Sequence, residues 1–157
     1  MTVSASEPND HRSVVTSVIG ANRFMTLATA DAHGTPWANP VWFATEDHRR
    51  FLWVSSPETR HSRNIDARSE IAIVIYDSRT TPAERQAVYL EAVADQVSAD
   101  ELADAVEIFS RTSVEHGLSA WTSDDVTEPR RFRMYEAIAK QHWILGETDV
   151  RIPVPMP

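Results

Sequence analysis

Cysteine is absent from this chain of 157 residues. Its absence removes disulfide frameworks, thiolate metal sites and thiol nucleophiles together, and fits a reducing cytoplasm. Glycine is nearly as scarce: Gly20, Gly34, Gly117 and Gly146 are the only four, and no two are spaced for a G-x-G-x-x-G turn or a Walker loop. Rossmann-type and P-loop nucleotide binding are thereby excluded. Lysine occurs only at Lys140, so the positive charge is carried by arginine, the side chain suited to two-pronged contact with phosphate or carboxylate. A net charge of −8 argues against nucleic acid or an anionic membrane as the principal partner, since both are bound through clustered Lys and Arg. No apolar run approaches the roughly 20 residues that cross a bilayer, and MTVSASEPNDHRS has neither the basic nor the apolar region of an export signal. A cytoplasmic, unexported protein is expected. H-E-x-x-H, His-x-His and G-x-S-x-G are missing as well, so the sequence assigns no metal ligand and no catalytic residue.

What is present reads as one mainly β domain. Residues 1–9 are polar and carry Pro8, which predicts a disordered lead-in. The domain is expected over 10–150, with 151–157 as an extended, proline-punctuated tail. Val14, Val15, Val18 and Ile19 recur at helical spacing between Asp10 and Ala21. The β-branched and aromatic runs 23–30, 37–45 and 50–56 predict a three-stranded antiparallel meander. Ser56, Pro57 and Glu58 predict a short helix to about residue 67, with Ser56 as N-cap and Pro57 at its first position. EIAIVIY at 70–76 is a continuous apolar run, predicted as a central strand buried on both faces. Residues 87–97 alternate as a long strand, Ser98 and Glu101 have the spacing of a capping box, and Leu102, Ala105, Val106 and Phe109 mark one face of a helix that stops at Gly117. The stretches 130–139 and 140–147 predict a closing hairpin. Six to seven antiparallel strands with flanking helices indicate an α+β, mainly β fold, a closed or split barrel and not a βαβ sheet.

One segment stands apart. In WVSSPETRHSRNI, residues 53–65, a strand ends in two hydroxyls, a capped helix begins, and Arg60, His61 and Arg63 follow. A helix N-terminus offers unpaired N–H groups and the positive end of the helix dipole, so a phosphate there needs only hydroxyls and a cation to complete its shell. Ser55, Ser56, Thr59, Arg60 and His61 are the available groups. The same residues also describe an ordinary capped surface helix whose arginines pair with Glu58 and Asp66. Trp37, Trp42, Phe43, Phe51 and Trp53 crowd the strands just before it, as walls for a flat aromatic ligand, as core, or as a subunit interface.

Taken in order, PVWFAT (40–45), FLWVSSPETRHSRNI (51–65), EIAIVIY (70–76) and RQAVYLEAVADQVS (85–98) resemble the pyridoxamine 5'-phosphate oxidase-like, FMN-binding split-barrel family. The resemblance spans about residues 20–145. It implies that Ser55 at the strand end, with Thr59, Arg60 and His61 on the family's Ser-Arg-Lys triplet, holds the FMN phosphate, with Ser56 and Trp53 beside them. The family's Arg-x-Val-Leu-Leu-Lys strand falls on Asn39 to Ala44, so both charged ends are missing, while Val41, Trp42 and Phe43 are left to face the isoalloxazine edge. Gln86 matches a glutamine that approaches the flavin. The resemblance further implies a homodimer with flavin at the subunit interface, and an oxidoreductase distinct from the authentic oxidase. A deazaflavin-dependent reductase of the same fold and a non-catalytic flavin- or haem-binding module are the alternatives.

Overall fold

The computed structural model describes residues 8–157. In chain order it comprises α1 (Pro8–Ala21), β1 (Phe24–Ala30), β2 (Pro36–Trp42), β3 (Ala44–Thr45), β4 (Arg50–Ser55), α2 (Arg60–Ala67), β5 (Glu70–Tyr76), β6 (Ala87–Gln96), α3 (Leu102–Glu115), a short 3-10 turn (Ser123–Val126), β7 (Arg133–Leu145) and β8 (Arg151–Val154). Every strand pairing is antiparallel, in the order β2-β1-β5-β6-β7-β4-β3, with β8 added to β7.

The two ends of that order, β2 and β3, are one stretch of chain interrupted at Phe43, whose N–H donates to the Arg23 carbonyl at 3.2 Å. The sheet therefore curls until its ends meet in a single segment, and a barrel closes there. Closure is incomplete. β3 pairs with β4 only at Ala44–Leu52 and Thr45–Phe51, and no ladder joins β2 to the rest of β4. This is the split in the barrel.

Alternation along the strands sorts side chains between two cores. Met25, Leu27, Phe51, Trp53, Ile73, Leu90 and Tyr135 fill the barrel, with Val15, Val18 and Ile19 of α1 packed among them. On the outer surface, Ala105, Val106, Ile108 and Phe109 of α3 cover Ala44, Leu52 and Met134. Arg50 ties α3 to the sheet, donating to Glu136 and Asp104 at 2.7 Å each.

Five local expectations are corrected. The meander does not form as such, because β4 finds its long partner in β7, leaving only two pairs to β3. In β5, Ile71, Ile73 and Ile75 are buried while Glu70, Ala72 and Tyr76 are exposed, since a curled sheet has a single inside face. The pair at the start of α3 is not a capping box: Ser98 Oγ donates to the Glu101 carboxylate at 2.9 Å, and Glu101 is the N-cap with no side-chain cap bond. The expected hairpin at 130–147 is one 13-residue strand, β7. Its polar middle is a bulge: Glu91 pairs with Gln141 and Ala92 with Ala139, leaving Lys140 as the extra residue. The bulge lets β7 change partners along one edge, from β4 at 133–138 to β8 at 142–145. Residues 151–154 of the expected tail are thus a strand of the sheet. The long strand at β6 and the stop at Gly117, with φ +75°, agree with expectation, whereas most of the expected lead-in, residues 1–7, lies outside the described residues.

Candidate functional site

Ser55 is the last residue of β4, and the chain must turn at once to enter α2. Ser-Pro-Glu-Thr makes that turn. Pro57 presets the second position of a tight turn, and the Ser56 carbonyl accepts from the Thr59 N–H at 3.2 Å and from its hydroxyl at 3.0 Å. Thr59, not Ser56, is therefore the helix cap. It is extended at φ −68° and ψ 153°, and its Oγ1 accepts from the Ser62 N–H at 3.4 Å. Ser56 Oγ serves the turn by accepting from the Glu58 N–H at 3.3 Å.

This turn folds His61 back over the strand end. His61 Nε2 stands 2.8 Å from Ser55 Oγ and 3.2 Å from Thr59 Oγ1. Ser55 and His61 are each only 7% exposed, and burial lowers the imidazole pKa below its ordinary value. Arg60 is exposed, its guanidinium 4.5 Å over the Trp37 ring. Arg63 donates to the Glu58 main-chain carbonyl at 2.5 Å. Among the described residues no ion pair joins either arginine to Glu58 or Asp66, so the helix does not use them as a self-contained surface network.

Ser55 and His61 lie at the side of a cleft of about 410 Å³ that fills the split between β2 and β4. Asn39, Pro40, Val41 and Trp42 form one lip and Val54 with Ser55 the other. The far wall is apolar, made by Phe109 of α3 with Leu118 and Trp121 beyond it. Trp42 meets Phe109 edge-on at 5.1 Å, and Phe109 meets Trp121 at 5.6 Å. The lining contains no Lys, Arg, Asp or Glu.

Of the residues singled out from sequence, Val41, Trp42, Ser55 and His61 meet in this cleft, and Thr59 adjoins it through His61. Arg60 stands beside it on Trp37. Three others are elsewhere. Phe43 packs inside the barrel against Phe51, Trp53 is fully buried and stacked on Tyr135 at 5.8 Å, and Gln86 is exposed in the loop before β6. Sequence reasoning missed Phe109, Leu118 and Trp121, which reach the cleft only because α3 packs across the outside of β4. It also named Asn39 only for lacking a charge, yet its Oδ1 is a buried acceptor without a protein partner.

A model of the pyridoxamine 5'-phosphate oxidase family matches residues 13–141. The chain belongs to that family. A curated relative, the pyridoxine/pyridoxamine 5'-phosphate oxidase of Bordetella pertussis, is 33% identical over 99 residues, which is 63% of this family member but 44% of the relative. The chain thus spans less than half the length of that enzyme. Among solved structures, a haem-binding protein from Mycobacterium smegmatis superposes with a TM-score of 0.72 at 18% identity, covering 96% of this chain and 59% of the other. An F420 reductase superposes with a TM-score of 0.59 at 15% identity, covering 81% and 94%. These likenesses establish the split-barrel fold. No described helix is long and apolar enough to cross a membrane, and among the described residues no group of three or more His, Cys, Asp or Glu is placed to hold a metal ion.

Proposed function

We propose that this family member binds FMN in the cleft between β2 and β4, at a homodimer interface, and serves as an FMN-dependent oxidoreductase on a small molecule. The observation that carries the reading is the convergence of Ser55, Thr59 and His61 where β4 passes into α2, at the side of a cleft whose far wall is aromatic. Hydroxyls, an imidazole and a helix N-terminus suit a phosphate. The aromatic wall and the unpartnered Asn39 Oδ1 suit a flat ring system with polar edges.

When bound, FMN supplies the hydride and electron chemistry, which explains a site without a nucleophile of its own. The chain's residues bind and orient. Ser55, Thr59, His61 and Arg60 would hold the phosphate end, and Val41 and Trp42 would border the ring. Trp121 and Phe109 would keep water from its far side. Phe43 and Trp53 support the strands from inside the barrel, and we assign them no contact with the cofactor.

A second reading is a deazaflavin coenzyme, favoured by the exposed Arg60 and Arg63 beyond the phosphate end, which suit a longer acidic tail. Purification followed by an absorbance spectrum, heat release and mass measurement of any chromophore separates these. FMN supports the proposal, a deazaflavin supports the second reading, and a Soret band indicates haem. A colourless protein that takes up none of them overturns both. Sizing at micromolar concentration should give a dimer, and a monomer would count against a shared site.

A further inference from the structure

We propose that this site takes up its phosphate monoester together with a proton, carried by His61, so that ligand affinity falls as pH rises through neutrality. The inference rests on the flavin-phosphate reading and names a property of His61 within it. Geometry is its basis. His61 Nε2 is directed to the point where the strand-end hydroxyl of Ser55 and the cap hydroxyl of Thr59 meet, at 2.8 and 3.2 Å, and its side chain lines the cleft. A phosphate held by those hydroxyls must meet that nitrogen.

Among the described residues no Lys or Arg is hydrogen-bonded to those two hydroxyls or to His61. On α2, Arg60 rests on Trp37 and Arg63 on the Glu58 carbonyl. On β7, Arg133 is the register partner of Ser55, but its guanidinium is held by Glu128 and by the carbonyls of Arg130 and Phe132 at 2.6 Å each. On α3, Arg111 pairs with Glu46 at 2.8 Å, while Glu115 and His116 are exposed at the helix end. β1 and β2 contain no charged residue, and β4 has only Arg50, paired at the opposite end of the strand. The carboxylates of α2 and its turn, Glu58 and Asp66, and those of β6, which packs on α2, Glu91 and Asp95, are all exposed. The one resolved influence on the imidazole is burial, which favours its neutral form.

Burial therefore favours a neutral imidazole in the ligand-free site, and the nearest permanent cation, Arg60, lies on Trp37 beside it. A phosphate dianion changes that balance. Neutral imidazole presents either a lone pair or an N–H at Nε2, whereas imidazolium donates there with full charge, so an adjacent dianion draws a proton onto the ring. Binding and protonation are then linked: between the imidazole pKa of the free site and its higher value in the complex, affinity drops by up to about tenfold per pH unit. Ionisation of the ligand phosphate, near pH 6, acts in the opposite sense and is largely complete by about pH 7.

The test is fluorescence titration of the full chain with FMN at pH values from about 6.5 to 8.5, above the phosphate ionisation, with riboflavin as the phosphate-free probe. Calorimetry in two buffers of different ionisation enthalpy counts the protons. FMN affinity should fall with pH while up to one proton is taken up, and riboflavin affinity should stay flat. His61→Lys, with a permanent charge, should remove the slope and bind at least as tightly as the native protein at the alkaline end. Native FMN affinity as flat as that of riboflavin overturns the inference and leaves the flavin reading standing. A slope that persists in His61→Gln also overturns it, by assigning the proton elsewhere. Failure of FMN to bind at any pH overturns both.

Discussion

β4 and β6 both lead through a serine into a helix, and the two junctions have opposite characters. After β4, the turn 56–59 buries Ser55 and brings His61 back to within 2.8 Å of it, with Arg60 and Arg63 following. After β6, Ser98 stays exposed and spends its proton on the Glu101 carboxylate, with Asp100 and Asp104 close by in sequence. A strand, a hydroxyl and a helix start are common to both. Burial, two following arginines and a bordering cleft belong to the first junction, whereas at the second Asp104 in the first turn of the helix already faces the dipole that an anion would otherwise meet.

The comparison can be broken from beneath. Trp53→Ala removes the fully buried side chain that stacks on Tyr135 just before Ser55, and should cost about 3 to 5 kcal/mol of stability by chemical denaturation. Arg60→Ala should weaken FMN binding by about 1.5 to 3 kcal/mol, the scale of a charge-assisted hydrogen bond. Unchanged affinity in a titration would remove Arg60 from the site. Thr59→Ala deletes the α2 cap and should lower the unfolding free energy by about 1 kcal/mol, read from the denaturation midpoint.

Acid offers a subtler contrast. Burial holds the folded-state pKa of His61 below the unfolded value of 6.5, so the unfolded chain binds the proton more readily. Its contribution to stability is present above that value and is lost as pH falls from it toward the folded pKa. His61→Gln should therefore flatten part of the decline in melting temperature on acidification, although His48 and His142, also lowered by burial, will keep some of it. Ser98→Ala at the other junction should change stability by less than about 0.5 kcal/mol and leave FMN binding untouched.

Much of this architecture was legible in the sequence because it is local. Helical spacing in α1, alternation in β6 and the positive-φ stop at Gly117 each depend on neighbours within a few residues. The β4–α2 segment was recognised for its residue types, but the cap was misplaced because Ser-Pro starts a tight turn as readily as a helix. Lys140 and Gln141 looked like a turn for a similar reason, a polar break meaning either a turn or a bulge until the partner strands are known. The aromatics at 37–53 were singled out as lying on strands of alternating faces, but alternation does not say which face meets the cleft: Trp42 lines it, whereas Trp53 is buried in the barrel. The Phe109–Trp121 wall had no signal at all, since it depends on where α3 lies across β4.

The interruption at Phe43 has a further consequence. β3, the turn after it and β4 form a hairpin zipped for two residue pairs, and beyond them its arms come apart as β2 swings away to β1. The cleft is the unzipped portion, where two strand edges face each other without a ladder between them. A ligand seated there takes the place of a missing strand, so it is a structural member of the barrel as well as a guest. Its binding energy adds to the stability of the fold by mass action.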